Sequence, residues 1–543
     1  MSHLRTINLG TFRAWPISVV FKMFMIVNVC LIFFFPLYNA VALDFERTSS
    51  GNSNSNADTK QGWTSSPDGR GTIDVLYSCG LTMFLCSWSI LCLNVPSKDE
   101  NTFQILWRKM SLTALGILCP ELIFELAFGQ WLSARQSVRD MNSIGAGPAK
   151  DKRSKLEWVK NIFAKSRSSK SEHVVSDREN ETWTMKKAFF TDMGGFILGT
   201  REHSPFPLDA KQLHYLVSTN RMPLPKLAKR EVEERNKVDG LLRTITLCQI
   251  TWFMVNTLAR RIQNLVITTA ELTTVSFILC SLGTAFFWWH KPADALSGKI
   301  LEEQFSINDI LKDAGQPLDA WKRTPLDFVS RKEWWWSKCW SNFVSILNHM
   351  HITFGTDVTP IDRIPDSLQK ELFNKQMYMC MGLTIGYFSI LFLGWNYSFP
   401  TRTEQVLWRA ACVTLMATLL ALMIMSSLAD TITTLEQSLR RLTGLHSPGT
   451  RSIDTGFRAR IVTRSRRASQ RLNSVFDSVR NNSTGKDPLL HVPLRLLIPI
   501  YIIAVFYCHA RTYILIADII EFRSLPGSAY ATVDWLKFWP RLG

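Results

Sequence analysis

The sequence lacks the short motifs by which many enzymes are recognised. It contains no GxSxG nucleophile turn, no Walker A loop, no HExxH zinc pair and no GxGxxG dinucleotide fingerprint. It also lacks an aspartate-rich pair of the kind that binds a diphosphate through magnesium. These absences exclude the motif-bearing hydrolases, nucleotide-binding enzymes and zinc peptidases, so the sequence does not reveal an activity.

Paired cysteines are missing as well. None of the 11 cysteines stands in a CxxC pair, and no series of cysteines in polar loops indicates a disulfide framework. Most fall within apolar segments, where they pack as small apolar residues. His349 and His351 lie two residues apart on a predicted helix, so their side chains point to different sides. We therefore predict no metal site and no cofactor.

Long apolar runs are what the chain does have. Hydrophobic residues make up 46% of the sequence, yet the mean hydropathy is only +0.02, because apolar and charged blocks alternate. The clearest run, residues 272–289, has about the length of a membrane-spanning helix. It ends in four aromatic residues and then His290-Lys291-Pro292, which is typical of an exit toward the cytoplasm. Further spans are predicted at residues 72–95, 241–259, 378–395, 406–428 and 494–516.

The formal net charge of +17 could indicate a nucleic-acid partner. The basic residues, however, lie mainly in the loops between the predicted spans. Positive-inside topology and contact with anionic lipid headgroups explain such a distribution. We therefore predict the lipid bilayer as the partner, and no nucleic acid.

The N-terminus resembles a secretory leader. Arg5, Arg13 and Lys22 precede the apolar residues 23–35, and Ala40-Val41-Ala42 follows. This pattern favours a signal peptide cleaved after Ala42, with an uncleaved signal anchor as the alternative. Either form places the following polar loop in the lumen.

An apolar run at residues 112–132 has two interpretations. Pro120 and Glu121 interrupt it, and Glu125 lies one turn further on, so the two carboxylates share a helix face. The run either crosses the membrane or is re-entrant. An acid at membrane depth is unfavourable unless it is paired or faces water.

Charge distribution bears on this choice. If the run crosses, the basic regions 133–239 and 440–480 lie in the lumen; if it is re-entrant, both lie in the cytoplasm. The positive-inside rule favours the re-entrant form. Arg260 and Arg261 favour the crossing, because their short loop would otherwise be lumenal.

These observations predict an all-α fold: a polytopic transmembrane helix bundle with cytoplasmic amphipathic or interfacial helices and disordered basic loops. Residues 334–340, with four Trp and a Lys, indicate a helix in the headgroup layer. The predicted segments are 1–42 (signal peptide or signal anchor), 43–71 (flexible lumenal loop), 72–133 (first span plus a re-entrant or second spanning helix), 134–239 (basic cytoplasmic region), 240–290 (two spans), 291–376 (cytoplasmic segment with the Trp-rich helix), 377–428 (two spans), 429–489 (basic disordered loop) and 490–543 (last span and tail).

Ionisable residues within or beside the spans are the candidate functional residues. The set is Glu121, Glu125, Arg243, Glu271 and Arg511, with Asp430 at the edge of a span. We expect Glu121 and Glu125 to line a polar cavity with Arg243 or Arg511 as counter-charge. The alternative is structural pairing between spans, or snorkelling at helix ends.

Two sites in the basic loop match the pattern of basophilic kinases. Ser469 follows Arg466-Arg467-Ala468, and Thr443 follows Arg440-Arg441-Leu442. Both are candidates for phosphorylation, which would weaken the hold of the loop on anionic lipid. Such short patterns are also common by chance.

Several longer motifs point to a family. LCLNVP at residues 91–96, Cys119-Pro120-Glu121, WTMKKAFFTDMGGF at 183–196, ELTT and FFWWHKPAD around the clearest span, and RSLPGSAYATVDW near the C-terminus stand in this order. Together they resemble a large family of uncharacterised fungal multipass membrane proteins. The resemblance implies a fungal source and a shared architecture, and no catalytic residue. Cys92 stands where the family pattern has His, which puts any role of that His in doubt here.

Two function classes remain open. The first is a non-enzymatic multipass membrane protein, a channel, transporter or sensor, whose embedded charges line a polar path. The second is a membrane-embedded enzyme acting on a lipid or terpenoid, with Glu121 and Glu125 as an acid–base pair. The absence of a known motif favours the first. The sequence does not indicate the oligomeric state or the membrane of residence.

Overall fold

The computed structural model describes residues 60–65, 70–145, 183–225, 239–293, 295, 297–302, 305–319, 321–349, 358–366, 374–443, 479–483 and 486–538. The predicted leader and Ser469 lie outside these residues. Most of the described chain is helical.

Helices of very different length form the body of the molecule. They are α1 (Thr72–Ile90), α2 (Thr102–Leu118), α3 (Pro120–Gly145), α4 (Met185–Asp192), α5 (Ala210–Ser218), α6 (Asp239–Ile262), α7 (Thr269–Phe287), α8 (Ile307–Asp313), α9 (Asp327–Ser330), α10 (Trp335–His349), α11 (Asn374–Leu391), α12 (Arg402–Thr443) and α13 (Leu494–Ile520).

Five helical stretches are long and apolar enough to cross a membrane: Thr72–Ile90, Thr269–Phe287, Gln376–Asn396, Arg402–Leu428 and Leu494–Arg523. The pair α2 and α3 would make a sixth if the bent pair is one span. The predicted span at 241–259 forms α6, which lies below the hydropathy of the five. The structure therefore confirms a mostly helical chain with several apolar helices of membrane-crossing length, and α6 is not among those helices.

A small mixed sheet corrects the all-α prediction. Its strands are β2 (Phe196–Gly199), β3 (Phe206–Leu208) and β4 (Lys299–Glu302), in the order β3-β2-β4. The pair β2–β3 is antiparallel and the pair β2–β4 is parallel, with Phe196 opposite Lys299. The described parts of the segments 183–225 and 297–330 thus pack together into one unit around buried side chains of β2, β3, α4 and α5. We call the end of the bundle that carries this unit the sheet end.

The opposite end of the bundle is closed by the C-terminal segment. Strand β1 (Lys60–Gln61) pairs antiparallel with β5 (Leu525–Pro526), and the Tyr530 hydroxyl donates to the carbonyl of Gly62 at 3.0 Å. The last part of the predicted flexible loop 43–71 is therefore held in place, because the tail offers it backbone partners. We call this end the tail end.

Helix α6 connects the two ends. Near its start, Arg243 donates to the Cys92 sulfur at 3.4 Å at the sheet end, and further along Gln249 donates to Thr82 of α1 at 3.1 Å. Near its finish, Arg260 donates to the carbonyl of Ala529 at the tail end at 2.9 Å. It runs antiparallel to α1, from one end of the bundle to the other.

Helices α2 and α3, by contrast, return to the end from which they start. Their axes bend by 113° at Cys119, where Pro120 has no N–H to continue the helix. Arg108, near the start of α2, pairs with Asp366 at 3.2 Å, and Asn142, near the finish of α3, bonds to the backbone of Trp183. Both contacts lie at the sheet end.

The Trp-rich helix and the basic loop also differ in detail from the prediction. Helix α10 packs Cys339 against Leu497 and Ile500 of α13, while its Trp side chains are half-buried. Helix α12 continues through Thr443, so the segment predicted to be disordered from residue 429 begins as a helix. After the undescribed part of that loop, Asn482 donates to the carbonyl of Asn342 on α10 at 2.9 Å.

The turn between α4 and β2 offers a test of this packing. A Cβ atom at Gly195 would lie 2.4 Å from the ring of Phe190 and 2.5 Å from its carbonyl oxygen. Gly195→Ala should therefore destabilise the sheet unit by about 1–3 kcal/mol, the usual cost of overpacking. Denaturant unfolding in detergent measures the loss. Gly80→Ala on α1 is the control, since no atom lies within 4 Å of its added methyl group; equal stability of both variants would contradict the described turn.

Candidate functional site

Arg511 of α13 binds the broken end of α2. Its Nε donates to the carbonyl of Leu118 at 2.9 Å and its Nη2 to that of Ile117 at 3.4 Å. The last carbonyls of a helix lack intrahelical partners and carry the negative end of the helix dipole. Arg511 is 1% exposed, so this contact supplies a buried cation with acceptors and buried carbonyls with a donor.

Glu121 lies on the other side of the break, in the first turn of α3. The hydroxyl of Tyr507, one turn before Arg511 on α13, donates to its Oε1. Its Oε2 is buried without a hydrogen-bond partner. Arg511 acts on Glu121 electrostatically and lies over the ring of Tyr387, 5.6 Å from its centroid.

Glu125 does not join this group directly. It lies one turn further along α3, beside the indole of Trp336 at the start of α10. The two carboxylates therefore face different partners, although they share the helix face that the sequence predicts. Of the two expected counter-charges, Arg511 is near Glu121, whereas Arg243 binds Cys92 at the sheet end.

Two further carboxylates were missed in the sequence: Asp518 in the last turn of α13, and Glu521 in the 3-10 turn that directly follows it. Asp518 accepts a hydrogen bond from the Thr273 hydroxyl at 3.2 Å, and Glu521 accepts one from the backbone N–H of Thr269 at 2.7 Å. Both are buried. The positions 507, 511, 518 and 521 fit the helical repeat, and we call these four residues the polar row. It extends over about 21 Å at 1.5 Å per residue.

Spacing in the sequence could have revealed this row. Asp518 follows Arg511 by two helical turns, but it lies just after the predicted end of the span at residue 516. The apolar residues between Arg511 and Asp518 led to a predicted span that ended before Asp518. Extending the span by one turn and a half would have brought Asp518 and Glu521 into the set.

Glu271 forms a separate cluster at the tail end. Its Oε1 pairs with Arg70 at 2.5 Å and lies 3.7 Å from Nε of Arg260. Its Oε2 accepts the backbone N–H of Thr268 at 2.9 Å, which caps α7. Arg260 also donates to backbone carbonyls of the C-terminal segment. These contacts give Arg260 a structural role, so its charge does not favour the crossing of the run 112–132.

The remaining predicted residues are placed as follows. The side chains of Asp430 and Thr443 lie outside the described residues, although the backbone of both belongs to α12. Among the described residues, no group of three or more His, Cys, Asp or Glu side chains has the arrangement of a metal site.

Comparison with known families places the chain. The model of a family of unknown function, DUF8562, matches residues 41–313, just over half of the 543-residue chain. The chain belongs to this family. No curated protein and no solved structure matches it. The matched part contains Glu121, Glu125 and Glu271, whereas the polar row on α13 follows it. The fungal source implied by the sequence resemblance stays a prediction.

Two of the motifs that suggested the resemblance lie where separate segments of the chain contact each other. Asn94 of the LNVP motif donates to the carbonyls of Ile364 and Pro365. Lys291 of FFWWHKPAD donates to Gln130 of α3 at 2.8 Å and lies over Trp288. Packing and hydrogen bonding therefore account for Asn94 and Lys291 in these motifs.

The contact between Arg511 and the broken helix can be tested by substitution. Arg511→Met should lower the free energy of unfolding by about 3–5 kcal/mol, because it leaves buried carbonyls and Glu121 without their cation. Arg511→Lys should lie between, since one ammonium group keeps the charge but not the fork of donors. His509→Ala, an exposed position on the same helix, is the control and should change stability by less than about 0.5 kcal/mol. Denaturant unfolding in detergent that shows Arg511→Met to be as stable as His509→Ala would contradict this role.

Proposed function

We propose that the protein is a multipass membrane protein that carries a small cation, in the simplest case a proton, along the polar row. The observation that carries this proposal is Asp518. It is a buried carboxylate inside a helix of membrane-crossing length, and in the described part of the chain it forms no ion pair with a basic side chain.

Burial of an acidic side chain inside a membrane is unfavourable, and such a residue often has a function. An acidic side chain at membrane depth costs at least about 2.5 kcal/mol, and it usually faces the interior of a bundle where it serves an ion or proton path. Asp518 is held by a hydroxyl and lies beside a second carboxylate, Glu521. A proton or cation between them would relieve the repulsion of two like charges.

The broken helix supports the same function. Transporters often place half-helix ends near the middle of the membrane, where backbone carbonyls and helix termini meet charged groups. Irregular backbone is tolerated there only when protein buries it or water reaches it. The break at Cys119 has this form, with the end of α2 at Arg511 and the start of α3 at Glu121.

The arrangement of helix ends supports a topology. With α1, α6, α7, α11, α12 and α13 crossing and the pair α2–α3 re-entrant, both long basic regions lie on the side of the sheet end. The positive-inside rule then makes that side cytoplasmic. Residues 60–71 and the C-terminal segment lie on the other side.

The alternative of a lipid-directed or terpenoid-directed enzyme has less support. It requires Glu121 and Glu125 to act together on one substrate. Glu121 is engaged by Tyr507, and Glu125 lies beside Trp336. Their separate partners favour distinct roles.

Proton flux into vesicles tests the proposal. The purified protein, reconstituted in liposomes that contain a pH-sensitive dye, should acidify the lumen when a potassium diffusion potential, inside negative, drives proton entry. Asp518→Asn and Glu121→Gln should each reduce the initial rate by about tenfold or more, since Asp518 is a titratable carboxylate of the polar row and Glu121 accepts a hydrogen bond from Tyr507 of that row.

Two controls make the result interpretable. Asp313→Asn removes an exposed carboxylate of the sheet unit and should leave the rate unchanged. Equal recovery of all variants in the liposomes excludes a loss of insertion. A wild-type rate equal to that of empty liposomes, or an unchanged rate in Asp518→Asn, would overturn the proposal.

A further inference from the structure

A polar cavity lies in the sheet unit, away from the polar row. It has a volume of about 100 Å³ and opens between the start of α5, the segment 323–333 and the segment 361–365. This volume accommodates several water molecules. Gln212 of α5 fixes two walls relative to each other, because its side chain donates to Thr324 at 3.0 Å and to Ser330 at 3.2 Å.

Four basic side chains line this cavity: Lys211, Arg323, Arg331 and Lys332. Lys211 and Lys332 are exposed and form no ion pair within the described residues. The side chain of Arg323 is 24% exposed and pairs through Nη2 with Glu333 at 3.2 Å. Burial lowers the pKa of Arg323 despite the attraction of Glu333, so a further anion beside it would be favourable.

The acidic residues of the cavity are already engaged. Asp209 accepts the backbone N–H groups of Lys211 and Gln212 at the start of α5. Asp327 accepts the backbone N–H groups of residues 322–324. Glu333 binds both Arg323 and Arg331. The cations of Lys211 and Lys332 are therefore left to meet a ligand.

We propose that this cavity binds a phosphate group, carried either by a lipid headgroup or by a soluble phosphate compound. A phosphate has several acceptor oxygens and up to two negative charges, which match a guanidinium and two ammonium groups around one space. The Trp-rich helix α10 begins just after Glu333, which places the cavity near the predicted headgroup layer.

The same cavity is linked to the polar row. Arg331 also pairs with Asp487, in the segment that leads into α13. A phosphate beside Arg331 would compete with Asp487 for the guanidinium and change how the start of α13 is held. Phosphate binding would therefore act on the segment that leads into α13.

Binding is tested on the full-length protein in phosphatidylcholine nanodiscs. Equilibrium binding of radiolabelled inositol trisphosphate tests the soluble source. The shift in thermal unfolding on adding phosphatidylinositol bisphosphate to the nanodiscs tests the lipid source. We compare the wild type with Lys211→Ala/Lys332→Ala, and with Lys312→Ala as control, since Lys312 is exposed on the same unit and lies outside the cavity lining.

The double variant should weaken binding of the soluble probe by about tenfold, or remove the lipid-dependent shift, because two charge-assisted contacts are lost. Lys312→Ala should behave as wild type. A response to either probe with this pattern supports the site and identifies the source. Absence of both responses, or equal responses in the double variant and the control, would overturn the proposal. These readouts do not depend on proton flux, so they stand apart from the transport assay.

Discussion

The hydrogen bonds from Arg511 to the carbonyls at the end of α2 hold the centre of the molecule together. Pro120 forces the chain to break at Cys119, which leaves carbonyls without partners inside a bundle of apolar helices. One arginine on a neighbouring helix donates to two of them, and its positive charge also acts on Glu121. This contact joins the bend between α2 and α3 to α13.

The sequence predicted the apolar helices well, because block-wise hydropathy and the Pro-Glu interruption are local features. It placed α7 and the break at Pro120 correctly. It missed the mixed sheet, because β2, β3 and β4 are three or four residues long and β4 comes from a distant segment. Strands so short have no periodicity of their own, and only tertiary contacts between separate segments create them.

The candidate site was predicted in part for a similar reason. Glu121 and Arg511 were recognised because each is a charged residue in an apolar run. Their proximity results from the packing of α3 against α13, which the sequence alone does not reveal. Glu271 and Arg243 belong to other clusters, one at each end of the bundle. Asp518 and Glu521 were overlooked because the predicted span ended too early.

The most direct test of the proposed topology is to measure on which side of the membrane the start of α2 and the finish of α3 lie. Single cysteines replace Lys98 before α2, Ser143 at the finish of α3, and Arg402 at the start of α12, in a background where the exposed Cys248 and Cys508 are serine. In sealed vesicles of one orientation, a membrane-impermeant maleimide should label positions 98 and 143 from the same side and position 402 from the opposite side. Labelling of positions 98 and 143 from opposite sides would show that the pair α2–α3 crosses the membrane. That result would contradict the re-entrant arrangement.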